Sequence, residues 1–486
     1  MSTPQPISIK PQKLGEVTAD NPLRPFLEKQ REAFKQRGIP SVEQRVENLE
    51  TLAKAIGEYS DKLVAAVQDD FGHRSPHETI ATEVLGALAE IRFTKGKIKK
   101  WAKAKKPSGM GLPGARIIYQ PKGVIGIMGA WNYPVMLVLS PLIGVLAAGN
   151  RSLIKPPDVT PRTSEVLDEM LSKYFDEDYI KVITGDVQTS IQFSQLPFDH
   201  LVYTGNTEIG RQVMMAAAKN LTPVTLEMGG KSPTIIADNF PVDKAVARLM
   251  MGKSMNSGQT CIAPDYILIN KNREQAFVEA FKAAAEKRYP SVANNQDITW
   301  IVNERHHQRV LALIDDAKQK GATVIQANPK NEQIPKDSRV IPMTVITGVT
   351  DDMRIMQEEI FGPVLPVKGV DSMAEALQYV KDRPRPLALY YFDSDRKQGE
   401  KVINETISGG ACLNDTVLHG ANMNMPFGGT GDSGVGAYHG FDGFCEFSHK
   451  KAVQLSGNKF SPSQLLGRPY PKLAYGMLKR VAKFLS

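Results

Sequence analysis

Residues 180–220 read IKVITGDVQTSIQFSQLPFDHLVYTGNTEIGRQVMMAAAKN, and this stretch decides the fold class. The runs IKVITG and HLVYTG are short and apolar, as buried strands are, whereas QTSIQFSQL and TEIGRQVMMAAAKN have the length and spacing of helices. Strands that alternate with helices form βαβ units, in which the strands are parallel and the helices cover the faces of the sheet. The stretch therefore predicts a doubly wound α/β fold.

The same alternation extends in both directions along the chain. Strand-like runs occur upstream in GVIGIMG and RSLIK, and downstream in DYILIN, which a helix from Glu274 follows. A chain of 486 residues is too long for one simple core, so we predict two α/β domains that meet near residue 228. Upstream of about residue 106 the pattern is helical, and Ser41 and Gln44 form a capping box at the start of one helix.

The charge and the cysteine content exclude several classes of protein. The net charge is +8, and two basic clusters, in residues 95–106 and 459–486, contribute much of it. Neither cluster belongs to a recognisable nucleic-acid-binding module, and Trp101 is the single aromatic residue of the first, so we predict no nucleic-acid partner and interpret the clusters as a solvated helix face and a frayed tail. The three cysteines show no CxxC pair and no His/Cys metal spacing, which predicts no metal site and fits a reducing compartment.

The start of the chain and its apolar runs predict a cytoplasmic protein. The N-terminal residues MSTPQPISIK lack the charged and apolar regions of a secretory signal. The longest apolar run, residues 135–149, has about fifteen residues with an internal proline, short of the roughly 20 that span a bilayer. We interpret this run as a buried helix.

One cysteine, Cys261, lies in the polar loop SMNSGQTCIAPDY. A nucleophilic cysteine needs access, and its thiolate needs N–H donors or positive charge nearby. Small and polar neighbours leave space around Cys261, and its own amide could bind an oxyanion. The alternative is a buried structural thiol, the usual state of a free cysteine. Cys412 and Cys445 lie among small or apolar residues, and we interpret both as structural.

Two further motifs place candidate groups at the ends of strands. In HLVYTGNTEIG, Gly205 turns the chain from a strand into a helix, whose first turn contains Gly210. Such a turn aims backbone N–H groups at an anion such as a pyrophosphate, although a plain tight βα turn explains the sequence equally well. In TLEMGGKSP, Glu227 ends a strand beside two glycines, so it is either a general base or a turn residue.

These motifs resemble those of the aldehyde dehydrogenase superfamily. LEMGGKSP and GQTCIAPDY resemble its paired active-site motifs, and GAWNYP, IKPPDVTP, YTGNTEIG, EEIFGPVLPV and PFGGTGDSGVGAYHG match further family blocks in the family's order. The match covers roughly residues 40 to 450. The forms GQTCIAPDYIL, GNTEIG and GAYHG are most similar to the class 3 branch, which includes fatty-aldehyde and aromatic-aldehyde enzymes and the bacterial coniferyl aldehyde dehydrogenases.

The resemblance implies a catalytic role for three residues. Cys261 would attack the aldehyde carbon as a thiolate, and the side-chain amide of Asn132 and the backbone N–H of Cys261 would hold the resulting oxyanion. A nicotinamide cofactor would take the hydride, which leaves a thioester. Glu227 would then activate water to hydrolyse the thioester to a carboxylic acid.

The resemblance also implies where the cofactor binds. The residues it assigns are Lys155, Asp158, Gly205, Gly210, Glu359 and Phe361. The first two would contact the adenosine ribose, the two glycines would flank the pyrophosphate, and the last two would hold the nicotinamide ribose and pack beside the ring. An ordinary core position is the alternative for Phe361. Asp158 stands where the family usually has glutamate, and this departure leaves the choice between NAD and NADP open. We expect NAD and keep NADP as the alternative.

The implied fold consists of two doubly wound α/β domains, NAD-binding and catalytic, with a small β bridging segment for oligomerisation. We place the NAD-binding domain at residues 1–227, with part of the bridging segment near 107–122. The catalytic domain would follow at 228–425, the rest of the bridging segment at 426–455, and a basic C-terminal tail at 456–486. Because class 3 relatives are usually dimers, we expect a homodimer.

The tail carries apolar residues near helical spacing beside Lys479, Arg480 and Lys483. Weak peripheral contact with an anionic membrane is one interpretation, and a disordered or docked tail is the other.

The resemblance predicts an apolar aldehyde substrate, either coniferyl-type and aromatic or medium-to-long-chain fatty. A relative that transfers the acyl group to coenzyme A often lacks a general base, so Glu227 argues against that activity. A catalytically silent homologue would not need Cys261, Glu227 and Asn132 together.

Overall fold

The computed structural model describes residues 21–108, 114–456 and 474–486. In chain order, the α-helices of these residues are α1 Arg24–Arg37, α2 Val42–Phe71, α3 Pro76–Thr79, α4 Leu85–Trp101, α5 Met136–Ala148, α6 Pro161–Tyr174, α7 Val187–Ser194, α8 Thr207–Ala218, α9 Val242–Ser254, α10 Glu274–Arg288, α11 Glu304–Gln319, α12 Arg354–Gln357, α13 Met373–Lys381, α14 Arg396–Glu405, α15 Leu418–Ala421, α16 Gly440–Glu446 and α17 Ala474–Leu485. A π-helix, Ile80–Val84, joins α3 to α4, and 3-10 turns span Met255–Gly258 and Lys271–Arg273.

The strands of the described residues form two large sheets and one two-stranded ribbon. They are β1 Ala115–Pro121, β2 Val124–Met128, β3 Arg151–Lys155, β4 Ile180–Val182, β5 His200–Thr204, β6 Val224–Glu227, β7 Pro233–Ile236, β8 Tyr266–Asn270, β9 Thr323–Gln326, β10 Thr344–Thr347, β11 Val364–Val370, β12 Ala388–Phe392, β13 Gly410–Leu413, β14 Gly434–Val435 and β15 Ser448–Gln454.

Both large sheets are doubly wound, which confirms the predicted fold class. The first has the order β14-β6-β5-β2-β3-β4, and its strands are parallel apart from the short β14. The second has the order β13-β12-β7-β8-β11-β10-β9, and its strands are parallel apart from β9 at one edge. The carboxyl ends of parallel strands meet at one edge of a sheet, which is where ligands bind in folds of this kind.

The helical elements follow from local sequence signals. α2 begins with the predicted capping box, in which Ser41 accepts from the Gln44 amide and the Gln44 side chain accepts from the Ser41 amide. α5 is apolar nearly all round and lies in the core, as expected for the long apolar run. It ends at Gly149, whose φ of +90° is the left-handed conformation that favours glycine.

The chain after residue 425 returns to the first sheet. β14 pairs with the end of β6, Gly434 lying opposite Glu227. Beyond it, Phe444 and Phe447 are fully buried in the same core as α5. The segment 426–455, which we predicted as a bridging unit, therefore also completes the sheet and core of the N-terminal part. The domain boundaries themselves stay a prediction.

The two stretches predicted to form the bridge do pair with each other. β1 and β15 are antiparallel, in register from Ala115 opposite Gln454 to Pro121 opposite Ser448. That this ribbon joins two subunits stays a prediction.

The N-terminal helical region ends with α4. α4 ends at Trp101, earlier than the helical pattern to about residue 106 predicted. Residues 1–20, 109–113 and 457–473 lie outside the described residues, and with them parts of the predicted bridging segment and of the predicted tail. Among the residues that are described, no helix combines the length and apolarity needed to cross a bilayer.

Candidate active site

The carboxyl ends of four parallel strands bring candidate residues of the first sheet to one edge. Lys155 ends β3 opposite Met128 of β2, and Glu227 ends β6 opposite Thr204 of β5. The backbone N–H of Gly205, in the turn after β5, donates to the Glu227 carbonyl over 3.0 Å. Asn132 follows β2. The edge predicted from the strand pattern thus holds the acid, the amide and the lysine that is predicted to contact a ribose.

The cysteine loop has a constrained backbone. In the 3-10 turn before it, Asn256 and Ser257 have φ values of +49° and +50°, which are rare for residues with a Cβ. Gly258 follows at φ +74°, and a Cβ there would overlap the Gly362 carbonyl oxygen. Strained backbone of this kind clusters at functional sites, where the surrounding contacts hold it.

The Cys261 thiol lies within the field of two carboxyl groups. The residue is half-buried, and burial raises the pKa of Cys261 to about 12. Glu359 and Glu227 contribute to this rise, whereas the backbone N–H groups of Cys261 and Ile262 oppose it. Cys261, Glu359 and Glu227 are therefore neighbours, and the amides beside the sulfur can also receive negative charge. A cationic ligand beside the thiol would favour the thiolate.

Asn132 is buried and connects two loops. Its Nδ2 donates to the backbone carbonyl of Gln259 over 3.1 Å, two residues before Cys261. The backbone carbonyl of Asn132 accepts hydrogen bonds from Nη1 of Arg74 at 3.2 Å and from Nδ2 of Asn256 at 2.9 Å. The amide predicted as an oxyanion donor is thus held beside the cysteine loop, with one Nδ2 hydrogen left for a ligand.

Glu227 is a buried carboxyl group without polar partners. Only 2% of the residue is exposed, and neither carboxylate oxygen accepts a hydrogen bond from any described residue. Burial raises the pKa of Glu227 well above its ordinary value, and the nearby Glu446 carboxylate adds to the rise. A carboxyl group with a raised pKa and free lone pairs is suited to accept a proton from water near neutral pH.

A second loop carries Glu359 towards the cysteine. Arg309 of α11 donates to the backbone carbonyls of Glu359, at 3.0 Å, and Ile360. Lys231 forms an ion pair with Asp265 and donates to the Glu358 carbonyl at 2.9 Å. Asp265 in turn accepts from the Ile360 amide at 2.9 Å. These charged side chains fix the loop.

The carboxylate of Glu359 itself lies against the glycines after β6. A Cβ on Gly229 would overlap it, which explains one of the two glycines in TLEMGGKSP. Burial raises the pKa of Glu359 to about 8, with Asp265 contributing and the Gly230 amide opposing. Its position supports hydrogen bonding to a ligand hydroxyl.

Phe361 has φ +51°, so its position is set by the loop and not by free packing. Its ring is 5.3 Å from that of Trp131, nearly perpendicular to it, and Trp131 also lies 4.7 Å from His306. Phe361 is half-buried, which differs from the fully buried ring of the core alternative. An aromatic surface of this kind suits a flat ligand ring.

A separate groove lies beyond the end of β3. It has a volume of about 550 Å³ and is lined by Pro156, Pro157, Asp158, Pro161, Ser164, Glu165, Thr184, Gly185, Asp186 and Val187. Lys155 precedes these residues, is buried, and donates to the Pro156 carbonyl at 2.8 Å. Burial lowers the pKa of Lys155, whereas Asp158 and Asp186 oppose that change. The groove is large enough for a nucleoside, and the carboxyl groups in its lining could accept hydrogen bonds from the hydroxyl groups of a ribose.

The two glycines of the β5–α8 turn are explained by packing. A Cβ on Gly205 would overlap the Tyr203 hydroxyl, and one on Gly210 would overlap the Met228 sulfur. The α8 N-terminus is capped by Asn206, whose Oδ1 accepts from the Ile209 amide at 2.9 Å. Contact of Gly205 and Gly210 with a pyrophosphate stays a prediction, and the uncapped amides of the first turn are compatible with it.

The remaining cysteines fit their structural interpretation. Cys412 is buried, and its Sγ lies 3.3 Å from Nδ1 of His419. Cys445 is half-buried in α16 and packs against the core around α5. Burial raises the pKa of both thiols.

Sequence reasoning missed the groups that hold the site. Lys231 and Asp265 lie inside motifs that were recognised, so their ion pair could have been sought. Lys253, buried in α9, was also missed: burial lowers its pKa to about 8, and Asp265 and Glu359 oppose that change. Arg74, in FGHRSPHET, belongs to no motif, and only the tertiary structure reveals its contact with Asn132.

Comparisons with known proteins agree with this geometry. The family model described as "Aldehyde dehydrogenase family" matches residues 18–453. The chain is 44% identical to a probable coniferyl aldehyde dehydrogenase of Pseudomonas aeruginosa, over 93% of this chain and 94% of that protein. It is 45% identical to a Caulobacter vibrioides protein of the same description, over 92% and 94%.

Solved structures give the same result. Staphylococcus aureus AldH, in a substrate-bound state, superposes with a TM-score of 0.88 at 35% identity, over 96% of this chain and 99% of that chain. A Mycobacterium tuberculosis aldehyde dehydrogenase complexed with NAD+ superposes with a TM-score of 0.79 at 26% identity, over 90% of each chain.

Proposed function

Because this chain belongs to the aldehyde dehydrogenase family, we propose that Cys261, Asn132 and Glu227 carry out the oxidation of an apolar aldehyde to its carboxylic acid. The protein is an oxidoreductase that uses NAD. The assignment of roles to individual residues rests on the contacts described above.

The first step is addition of the thiolate to the aldehyde. Cys261 supplies the sulfur nucleophile, which forms a bond to the carbonyl carbon. The negative charge moves to the carbonyl oxygen, where Nδ2 of Asn132 and the Cys261 amide donate hydrogen bonds. Preorganised donors of this kind contribute about 3–4 kcal/mol each to the transition state. The bond from Nδ2 to Gln259, which places this amide beside the loop, supports the assignment.

The second step leaves a thioester that must be hydrolysed. NAD, when bound, accepts the hydride from the tetrahedral carbon. Glu227 then takes a proton from water, and the resulting hydroxide attacks the thioester carbon to give a second oxyanion, which the same two donors hold. Its collapse breaks the C–S bond and releases the carboxylic acid and the Cys261 thiolate. The raised pKa of Glu227 and its unpartnered oxygens support this role. Lys155 and Asp158 would bind the adenosine ribose, and Glu359 and Phe361 the nicotinamide riboside.

The observation that carries the proposal is the 3.1 Å hydrogen bond from Nδ2 of Asn132 to the Gln259 carbonyl, which holds the predicted oxyanion donor beside the loop of Cys261. Rapid mixing of the protein with NAD+ and an aldehyde tests it. Glu227→Gln should give a stoichiometric burst of NADH followed by slow turnover, because hydride transfer precedes the step that needs the base. Cys261→Ser should give no burst and retain NAD+ binding. Equal slowing of burst and turnover in Glu227→Gln would assign that residue a structural role.

We infer that the substrate is a coniferyl-type aromatic aldehyde. The two most similar relatives described above are named for coniferyl aldehyde. Within this chain, Cys261 packs against a hydrophobic cluster that includes Ile262 and the half-buried Phe427, and a ring could pack there. Comparing coniferyl-type, benzaldehyde-type and fatty aldehydes by kcat/KM tests this inference. A steady rise with aliphatic chain length would favour the fatty-aldehyde alternative.

The groove supports NAD over NADP. Its lining contains the carboxyl groups of Asp158, Glu165 and Asp186. The cations described beside it are the buried Lys155 and Arg162, whose Nη1 donates to Glu165 at 3.3 Å. A 2′-phosphate would bring negative charge to these acids.

Two further assignments rest on the sequence and on exposure. A homodimer built on the β1–β15 ribbon is supported by the observed pairing, and light scattering tests it. Contact of the tail with an anionic membrane is supported by α17, whose apolar side chains are exposed beside basic ones, and the experiment is given in the Discussion.

A further inference from the structure

Residues 74–83 connect α2 to α4 and contact the active site from behind. They include α3 and the π-helix, a rare conformation that is frequent at functional sites. None of their side chains has a role in the reaction described above. Three of them are charged groups with partners in the loops of Asn132 and Cys261.

The first contact is a fully buried ion pair. Nη1 of Arg74 lies 2.7 Å from Oε1 of Glu83, and both side chains have 0% exposure. The other carboxylate oxygen of Glu83 accepts from the amides of Val135, at 2.7 Å, and Met136, at 3.2 Å, where α5 begins. Nη1 of Arg74 also donates to the Asn132 carbonyl at 3.2 Å. The pair therefore holds the turn that carries the Asn132 side chain from both sides.

A second contact reaches the residue before the nucleophile. The Arg74 guanidinium lies over the ring of Tyr133, 4.9 Å from its centre. The Tyr133 hydroxyl is 2.7 Å from Oγ1 of Thr260, which precedes Cys261. Arg74 is thus connected to both sides of the site through neighbouring residues, Asn132 and Tyr133.

The third contact fixes the strained turn of the cysteine loop. Glu78 accepts from the Asn256 amide, and its other oxygen accepts from Oγ1 of Thr299 at 2.7 Å. Asn256, at φ +49°, donates from Nδ2 to the carbonyls of Asn132, at 2.9 Å, and Gln259, at 3.0 Å. Glu78 therefore holds the residue that joins the amide loop to the cysteine loop.

We propose that residues 74–83 position the two donors of the oxyanion hole, the Asn132 side-chain amide and the Cys261 backbone N–H. Arg74 and Glu83 act through Asn132, and Glu78 acts through Asn256. A buried ion pair is weak evidence for stability, because well-packed apolar residues often stabilise a core equally well. Its value here is geometric: several directional bonds fix the Asn132 backbone, and donors must be held within about 0.5 Å to act on an oxyanion. This inference rests on the proposed role of Asn132.

A double-mutant cycle on the full chain tests the inference. The variants are Arg74→Lys, Asn132→Ala and the double variant, and the measurement is the single-turnover rate of NADH formation at saturating NAD+ and aldehyde. Arg74→Lys should lower this rate about tenfold in the native background, because the donor is misplaced. In the Asn132→Ala background it should lower the rate less than about twofold, because the donor is already absent.

The readout separates positioning from folding. A positioning defect lowers the rate and leaves the burst amplitude and NAD+ affinity unchanged, whereas a folding defect lowers the amplitude. Arg151→Lys is the matched control, since Arg151 is also a buried arginine paired with an aspartate, Asp178, and lies outside the catalytic loops. It should leave the rate within about twofold of the native value, as expected for an independent site. If Arg74→Lys does not fold, Glu83→Gln goes through the same cycle.

The outcomes distinguish the two proposals. An equal fall caused by Arg74→Lys in both backgrounds would overturn the positioning role and leave Asn132 as the donor. A native rate in Asn132→Ala alone would overturn the role of Asn132 and the positioning role with it. A fall confined to the native background supports both.

Discussion

Thr225 lies on β6, the strand that ends with Glu227, and its hydroxyl donates a 2.6 Å hydrogen bond to Oε1 of Glu446. Thr225 also lies 2.7 Å from Nε2 of His200, whose Nδ1 is 2.9 Å from the Lys122 ammonium. Burial lowers the pKa of His200 to about 3, and Lys122 adds to this effect, so the imidazole is neutral. The Lys122 ammonium therefore donates to Nδ1 of His200. The Nε2–H of His200 donates to the Thr225 hydroxyl, which donates to the Glu446 carboxylate.

This chain of hydrogen bonds predicts a pH effect on thioester hydrolysis. Residues i and i+2 of a strand face the same side, so Glu446 lies on the side of β6 that Glu227 occupies. Its negative charge raises the pKa of Glu227, after burial itself. Hydrolysis needs the unprotonated carboxylate, so its rate rises with pH through the raised pKa. Glu446→Gln removes the charge and should move this rising part of the pH profile to lower pH.

The pH dependence of steady-state turnover is measured with an aldehyde for which thioester hydrolysis is the rate-limiting step. Thr51→Ala, on the exposed face of α2, is the control and should leave the rising part of the profile in place. An unchanged rising part in Glu446→Gln would mean that burial alone sets the pKa of Glu227.

The thiol of Cys261 should be unreactive in the cofactor-free protein at neutral pH. Burial and two carboxyl groups raise its pKa to about 12, and only the thiolate reacts with iodoacetamide. The rate of modification should therefore rise about tenfold per pH unit between about pH 7 and pH 10. Mass spectrometry of the alkylated peptide measures it, with Cys261→Ser as the control for Cys412 and Cys445. A plateau below about pH 8 would contradict the buried, anion-flanked environment.

The acids of the ribose groove should set the cofactor preference. Asp158→Asn removes one of three carboxyl groups from the lining and should raise kcat/KM for NADP relative to NAD by about tenfold, through reduced repulsion of the 2′-phosphate. The same change should raise KM for NAD by a few-fold, because a ribose hydroxyl loses an anionic acceptor. Both cofactors are assayed with one aldehyde.

Asp238→Asn is the control for this experiment, since Asp238 is exposed after β7 of the other sheet. An unaltered NADP-to-NAD ratio in Asp158→Asn would assign the discrimination to other groups of the groove.

The sequence predicted those parts of the fold that depend on residues close together in the chain. The alternating apolar runs gave both parallel sheets, and Ser41 and Gln44 marked the start of α2, because strand length, helical spacing and capping chemistry involve neighbours in the chain. The return of β14 to the first sheet was not predicted. Two residues, Gly434 and Val435, are too few to show a period, and their partner is some two hundred residues upstream.

The candidate site divides in the same way. Cys261 lies in a polar loop, and Glu227 ends a strand immediately before a loop with two glycines, so both signals are visible in the sequence. Arg74 and Glu83 are nine residues apart on a segment that reads as an ordinary helical surface, although both are fully buried. Burial of a charged pair depends on what packs over it, here α5 and the Asn132 turn, so a one-dimensional pattern gives no sign of it.

The tail should bind anionic membranes weakly. α17 has exposed apolar side chains at Met477, Leu478, Val481 and Leu485 beside Lys479, Arg480 and Lys483, and no acid. An amphipathic helix with this charge buries its apolar face at the headgroup boundary and gains from anionic lipid. Cosedimentation should show binding to vesicles with anionic lipid. Because roughly 1 kcal/mol is available for each basic residue near the surface, changing Lys479, Arg480 and Lys483 to Glu should weaken this binding by about a hundredfold or more. Removal of residues 474–486 should abolish binding and leave kcat unchanged.

Equal sedimentation of the full and shortened chains would exclude a membrane role for α17, whereas equal binding of the charge-reversed chain would show that apolar contact alone is sufficient.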